Sequence, residues 1–251
     1  MTYSEAGGWF ASVNSHAVTH HALPDKIVAQ ATTWADVGPH SVVFHYQAGC
    51  NGDLWQVEVD RGFPIITFNV DLQGVIRQYL DARAAPWHAF DVSRYALGIE
   101  HAALPGTCEL NDAQLTASAA LAAALVEWTH EEYGLDIPVR RIGPITPANY
   151  RTAAGFFGHV DIEPGSALNP NQHTDTLYHW TWDRYLAEVA RNLEVDDVTP
   201  EQAKTIADAQ AFLTALQTTL GKVGDPTVPA TPRGAGNRVA RSTAAHEAGK
   251  P

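Results

Sequence analysis

A long helix, with a capping motif at its start and a glycine at its end, is the clearest structural signal in this 251-residue sequence. Asn111 is suited to cap the helix N-terminus, and Gln114 stands three residues later, which is the spacing of a capping box. The alanine- and leucine-rich run LTASAALAAALVEWTHEEY follows and reaches Gly134, a residue type that commonly ends helices. The sequence therefore predicts one helix between Asn111 and Gly134.

Short apolar segments before this helix predict strands, and capped segments after it predict further helices. The predicted strands are Ser41–Tyr46, Ile65–Val70, Val75–Leu80 and Ala96–His101. The predicted helices are a short one from Thr146-Pro147 to near Gly155, a second from Trp180 to Leu193, and a third from Thr199 to about Leu220. This order predicts an α/β fold, in which a mixed β-sheet is flanked by helices. Trp128, Phe156 and Phe157 are expected in the core.

The composition excludes several classes of function. With 16 Lys and Arg against 28 Asp and Glu, the net charge is −12, which argues against a nucleic-acid partner. No apolar run is long enough to span a membrane, so no membrane insertion is expected. The first residues have neither a basic nor an apolar signal region, so we expect a cytoplasmic protein. In that compartment Cys50 and Cys108 are expected to be free thiols, although two cysteines could also bridge.

The chain is expected to divide into four parts. Residues 1–40 contain no firm element and form an N-terminal extension of the main domain, which spans residues 41–195. Residues 196–222 form a C-terminal helix. Residues 223–251 have several prolines and almost no large apolar side chains, and they predict a flexible tail.

Histidine is unusually common, with 12 His against only 4 Lys, which suggests a metal site. His45 lies at the end of the first predicted strand, and His159 follows a pair of aromatic residues flanked by glycines. Asp175 is a third candidate. Two imidazoles and one carboxylate leave one tetrahedral position open for water, the pattern of a catalytic zinc site. His20 or His21 is an alternative first ligand, but the register of residues 68–102 favours His45.

Three stretches of the sequence resemble the zinc-dependent N-acetylmuramoyl-L-alanine amidases, which include phage lysozyme-type amidases, bacterial autolysins and peptidoglycan recognition proteins. They are VVFHYQAG (42–49), residues 68–102, and GHVDIEPGSALNPNQHTD (158–175). The likeness covers roughly residues 40–190. Its most specific feature is an ordered set consisting of a strand-end histidine followed by WHA, GIEH, GH and HTD.

The resemblance implies roles for individual residues. It makes His45, His159 and Asp175 the ligands of a Zn²⁺ ion. It makes Glu100, in GIEH, the general base and His173 a second catalytic residue that stabilises the oxyanion. It makes Trp87 and His88, in WHA, substrate-binding residues. His101, next to Glu100, is expected to point to the opposite face of the sheet.

The activity that the resemblance implies is hydrolysis of the amide bond between N-acetylmuramic acid and L-alanine, by zinc-activated water. We expect a monomeric phage endolysin that waits in the host cytoplasm until lysis and then attacks cell-wall peptidoglycan. A cytoplasmic amidase that recycles muropeptides and a non-catalytic peptidoglycan-binding protein are the alternatives. Two positions depart from the family pattern. Phe68-Asn69 replaces a common Tyr-His pair, and Thr176 replaces a common proline.

Overall fold

The computed structural model describes residues 2–3, 8–14, 16–35, 37–47, 49–50, 52–173, 175 and 181–195. The chain divides into two units, residues 1–197 and residues 198–251, and the description covers only the first. The predicted helix from Thr199 and the predicted tail therefore lie outside the described residues.

Ten strands and four α-helices make up the described fold. The strands are β1 (Thr2–Tyr3), β2 (Phe10–Val13), β3 (His16–His20), β4 (Thr32–Thr33), β5 (Ser41–Tyr46), β6 (Phe68–Val70), β7 (Ile76–Gln78), β8 (Ala84–Ala85), β9 (Ala96–His101) and β10 (Gly155–Gly158). The helices are α1 (Asp25–Val28), α2 (Trp55–Arg61), α3 (Asp112–Tyr133) and α4 (Trp182–Val195), with short 3₁₀ turns at Phe90–Arg94 and His159–Asp161.

Eight of the strands form one mixed sheet in the order β1-β2-β3-β7-β6-β9-β5-β10. Its centre is parallel, since β5 pairs in parallel with both β9 and β10, and β6 pairs in parallel with β9. The predicted α/β fold, a mixed sheet flanked by helices, is confirmed. The carboxyl ends of β5, β9 and β10 lie at one edge of the sheet, where open α/β folds place their ligands.

Alternation along the central strands divides the side chains between two faces. One face carries the buried residues Phe44, Leu97, Ile99 and Phe156 and packs against α3 and α4, where Trp128 of α3 joins the same cluster. The other face carries Val43, Ala96 and Phe157 in a second cluster. Continuing the alternation places His45, Glu100 and His159 on this second face, at the ends of their strands.

Local sequence signals fixed the boundaries of several elements. The strands Ser41–Tyr46 and Ala96–His101 have their predicted bounds. Helix α3 begins at Asp112, next to its cap Asn111, which forms a capping box with Gln114, and it ends at Tyr133, before Gly134 with its left-handed φ of 66°. Trp128, Phe156 and Phe157 are buried in the core as expected.

Other elements differ from the prediction. The segment opening at Thr146-Pro147 forms consecutive turns in place of a helix, because the Asn149 side chain bonds back to the amide of Thr146 and the carbonyl of Pro144. Strand β10, with only four residues and two glycines, has too little local signal to be predicted. The predicted strand at residues 65–70 is shorter, because the amide of Ile65 bonds to Glu58.

The first twenty residues supply strands that the sequence did not reveal. Strand β3 pairs in parallel with β7, and β2 pairs with β3, so both belong to the main sheet. His20 contacts the carbonyl of Phe10 at 2.7 Å, and His21 contacts Asp53 at 2.8 Å. Neither histidine lies in the group formed by His45, His159 and Asp175.

Cys50 and Cys108 form a disulfide, so the expectation of free thiols is wrong. The two cysteines lie in the loops that follow the adjacent parallel strands β5 and β9. An isolated bridge between Gly49 and Ala103 holds these loops side by side. This places the two Cα atoms 5.8 Å apart, within the range that a disulfide spans.

No helix among the described residues is long and apolar enough to cross a membrane.

Candidate metal and active site

Three side chains converge at the carboxyl edge of the sheet. His45 ends β5, His159 begins the 3₁₀ turn after β10, and Asp175 is placed by a hydrogen bond from the amide of Val160 to its carbonyl. The Nδ1 atoms of His45 and His159 lie 3.0 Å apart, and each lies 3.4 Å from Oδ2 of Asp175. Both histidines are buried, and Asp175 is half-buried.

This group fits a tetrahedral metal ion. A zinc ion with ligand bonds of about 2.1 Å places its ligand atoms roughly 3.4 Å from one another. The measured separations of 3.0 to 3.4 Å are close to that value. Two nitrogen donors and one carboxylate oxygen are also a donor set typical of catalytic zinc. The cluster can therefore hold a metal ion.

The surroundings favour the protonation states that bind a metal. Burial lowers the pKa of His45 to about 4, so its imidazole is neutral at pH 7. Burial by itself would raise the pKa of Asp175, but hydrogen bonds and charge interactions with His159 and His45 outweigh it and hold this pKa below its usual range. Neutral imidazole and ionised carboxylate are the ligating forms.

Glu100 lies beside this group on the neighbouring strand. It is the register partner of His45 in the β5–β9 pair, and its half-buried side chain lines the same cleft. Burial, first, and then the charges of Asp175 and Glu58 raise its pKa well above the usual range. Enzymes commonly raise the pKa of a carboxyl group that takes part in general acid–base catalysis.

His173 is exposed, and its ring stacks on His159 at 4.6 Å between ring centroids. The fully buried Asn169 fixes the backbone of His173, since its Oδ1 accepts from the His173 amide and its Nδ2 donates to the His173 carbonyl. Asn169 therefore positions this loop. Sequence reasoning missed it, because only its burial in the folded chain distinguishes it from other loop asparagines.

Trp87 and His88 occupy different parts of the cleft. Trp87 lies at the rim, 45% exposed, with its indole nitrogen donating to the carbonyl of Gln30. His88 lies deeper and contacts protein atoms through both ring nitrogens. Its Nδ1 is 3.0 Å from Nε2 of His45, and its Nε2 donates to the carbonyl of Ala96 at 2.9 Å.

His101 points to the opposite face of the sheet, as expected. It is buried, its Nδ1 donates to the carbonyl of His45, and its Nε2 lies 2.8 Å from the Ser118 hydroxyl. This network links helix α3 to the backbone of His45. His101 therefore stabilises the end of β5 from the face of the sheet opposite the cleft.

Glu58 is a second buried carboxyl group that the sequence did not single out. It is fully buried on α2, where Oε2 accepts from the amide of Ile65 and Oε1 has no partner among the described residues. Burial raises its pKa to about 8, an effect that the nearby Arg61 only partly offsets. Nothing in the sequence indicated that Glu58 is buried, because a helix that follows a polar loop is expected to carry its glutamate on the surface.

An open cleft of about 820 Å³ contains all of the predicted site residues. Its lining residues include His45, Glu100, His159, His173 and Asp175, together with Trp87 and His88. Exposed apolar side chains lie on its walls, among them Val57, Phe63 and Phe90. The cleft therefore offers both polar and apolar contacts to a bound molecule.

Comparison with known proteins identifies a matching family and proteins of similar fold. The family model described as N-acetylmuramoyl-L-alanine amidase matches residues 14–176. A crystal structure of an AmpD derivative is similar in fold, at 20% identity and a TM-score of 0.50, over 75% of this chain and 99% of that one. The N-acetylmuramoyl-L-alanine amidase LysC from Clostridium intestinale matches at 15% identity and a TM-score of 0.47, over 70% of this chain and 99% of that one. None of the curated proteins matches the chain.

Proposed function

The chain belongs to the N-acetylmuramoyl-L-alanine amidase family, and we propose that it acts on intact cell-wall peptidoglycan as a phage endolysin, with Zn²⁺ as its cofactor. The observation that carries this proposal is the convergence of His45, His159 and Asp175 beside Glu100 in one open cleft. The bond cleaved is the amide between the lactyl group of N-acetylmuramic acid and L-alanine.

Each side chain of the site has a role in this reaction. When bound by His45, His159 and Asp175, zinc supplies an activated water near neutral pH and polarises the substrate carbonyl. Glu100 takes a proton from the attacking water and passes it to the leaving nitrogen. His173 donates a hydrogen bond to the oxygen on which negative charge develops. Partial burial, first, and then the charge of His159 lower the pKa of His173, which favours its neutral form.

The cleft also suggests how the substrate binds. Peptidoglycan presents sugar rings and a short peptide on either side of the scissile amide. Trp87 and Phe90, 45% and 38% exposed, offer flat apolar surfaces that sugar rings or alanine side chains can contact. An open cleft leaves both ends of a glycan strand free to continue into solvent, which favours intact wall over small fragments.

We further propose a monomer without a nucleic-acid partner or membrane insertion, held in the host cytoplasm until lysis. The net charge of −12 opposes binding to phosphate backbones. Because disulfides form in oxidising compartments, we expect the Cys50–Cys108 bond to close after the enzyme leaves the cytoplasm.

The proposal is tested by mass spectrometry of fragments released from purified peptidoglycan, with the full chain, a chelator and zinc add-back. Peptides with a free N-terminal L-alanine beside intact glycan strands, lost on chelation and restored by zinc, are the expected result. Parallel assays on intact wall and on soluble muropeptides separate a lytic enzyme from a recycling one.

His130→Ala is a matched control, since this exposed histidine pairs with Asp136 on the surface. It should retain full activity, whereas His45→Ala should lose activity. Release from muropeptides but not from intact wall would contradict the endolysin role. Absence of release despite one bound zinc per chain would contradict the amidase activity and favour a non-catalytic peptidoglycan-binding protein.

A further inference from the structure

His88 forms the middle of a chain of hydrogen bonds that ends at the metal site. Its Nε2 lies 2.9 Å from the carbonyl oxygen of Ala96, and its Nδ1 lies 3.0 Å from Nε2 of His45. On the other side of the His45 ring, Nδ1 faces His159 and Asp175 at 3.0 and 3.4 Å. One line of contacts thus runs from the backbone of β9 to the proposed metal-binding atom.

The chemistry of these atoms fixes the direction of every hydrogen bond in the chain. A carbonyl oxygen only accepts, so Nε2 of His88 must carry a proton and donate to Ala96. In a neutral imidazole the other nitrogen is then an acceptor, so Nδ1 of His88 accepts from Nε2–H of His45. The proton of a neutral His45 is thereby placed on Nε2, and the lone pair of Nδ1 is free for a metal.

Gly98 provides the space that this arrangement needs. A Cβ atom at position 98 would lie 2.9 Å from Cγ of His88, 3.0 Å from Nδ1 of His88 and 2.6 Å from Cδ1 of Ile66. Gly98 stands between Ala96 and Glu100 on the cleft face of β9. The His88 ring therefore lies directly against the strand backbone, a position that any larger residue at 98 would obstruct.

We infer that His88 is a positioning residue that sets the tautomer and ring orientation of His45 for metal binding, and that Gly98 is required for it. This inference rests on the proposed metal site and replaces the substrate-binding role that the sequence suggested for His88. Partners of this kind orient metal-ligating histidines in many proteins, and their loss typically lowers metal affinity by about 10- to 100-fold.

Two measurements on the full chain test the inference, and the first needs no metal. Two-bond ¹⁵N–¹H NMR spectra of the metal-free protein report which ring nitrogen of each histidine carries the proton. We expect His45 to be the Nε2–H tautomer in the wild type and a mixture of tautomers in His88→Ala. His88→Asn places an amide oxygen near the position of Nδ1 and should restore the wild-type tautomer.

The second measurement is zinc affinity, by competition with a chelator of known strength. The dissociation constant should rise about 10- to 100-fold in His88→Ala and in Gly98→Ala, and partly recover in His88→Asn. The matched control His130→Ala should leave it unchanged. Far-UV circular dichroism confirms that each variant is folded.

The outcomes separate the inference from the proposed function. The role of His88 would be overturned if the wild type bound zinc and His88→Ala had a zinc dissociation constant within twofold of the wild-type value, with an unchanged His45 tautomer. The metal site itself would then stand. A wild type that binds no stoichiometric zinc would overturn the metal site and the inference together.

Discussion

Glu100 and the metal-binding group make separable contributions to the site. Glu100 lies opposite His45 in the strand register but is not one of the three converging ligand residues. Its replacement should therefore remove proton transfer without removing the metal. For Glu100→Gln we expect kcat on purified peptidoglycan to fall by about 10²- to 10⁴-fold, the usual contribution of a general acid–base residue.

Zinc content and activity of Glu100→Gln should be measured on the same preparation. One zinc per chain together with the loss of turnover would support the assignment. Full activity in the zinc-bound variant would show that another group transfers the proton.

The raised pKa of Glu58 predicts that the free energy of unfolding depends on pH. Its pKa is raised to about 8 in the folded chain, against about 4.3 in an unfolded one. A raised folded pKa means that its contribution to stability is complete below pH 4 and is lost progressively as the pH rises toward 8. The loss has a slope of at most about 1.4 kcal/mol per pH unit.

Glu58→Gln should remove this dependence, because an amide keeps an acceptor for the Ile65 amide and carries no charge. Relative to the wild type, we expect the free energy of unfolding of the variant to increase between pH 5 and pH 8 in urea titrations. Glu163→Gln makes the same chemical change at an exposed position and is the control. The prediction would be contradicted if the free energies of unfolding of the wild type and Glu58→Gln differed by a constant amount from pH 5 to pH 8.

At the scale of elements, the disulfide joins the loops that follow β5 and β9. Cys50 and Cys108 are separated by 58 positions, and closing a loop of that length stabilises a fold by about 4 kcal/mol in the chain-entropy model. The double variant Cys50→Ser, Cys108→Ser should lose a free energy of unfolding of this order.

Urea unfolding with and without a reductant provides the internal comparison for the disulfide. Reductant should lower the midpoint of the wild type to that of the double variant and should leave the double variant unchanged. A wild type whose midpoint is insensitive to reductant would show that the bond contributes nothing to stability.

At the scale of the whole molecule, a metal that binds only the folded chain stabilises all of the described unit. At a free zinc concentration 100 times the dissociation constant, the gain is about 2.7 kcal/mol. For a protein of this size it corresponds to a rise in Tm of about 5 to 10 °C. Calorimetry should show this rise in Tm for the wild type, and a chelator should reverse it. The Tm of His45→Ala should not change on addition of zinc. An equal rise in both proteins would locate the binding elsewhere.

The sequence by itself determined the features that depend on neighbours along the chain. The Asn111–Gln114 capping box and Gly134 fixed both ends of α3, because helix caps form within one turn. The apolar runs at Ser41–Tyr46 and Ala96–His101 fixed two central strands. The ordered motifs from the strand-end His45 to HTD identified the family, and with it the three residues that the structure brings together.

Only the tertiary structure decided the features that depend on residues far apart in the chain. The Cys50–Cys108 bond follows from the parallel pairing of β5 with β9, and the place of the first strands in the sheet follows from the pairing of β3 with β7. The contact between His88 and His45 joins residues 43 positions apart, and it needs the space that Gly98 leaves for the His88 ring. Such contacts cannot be predicted from local sequence, because these residues are buried and brought together only once the sheet has assembled.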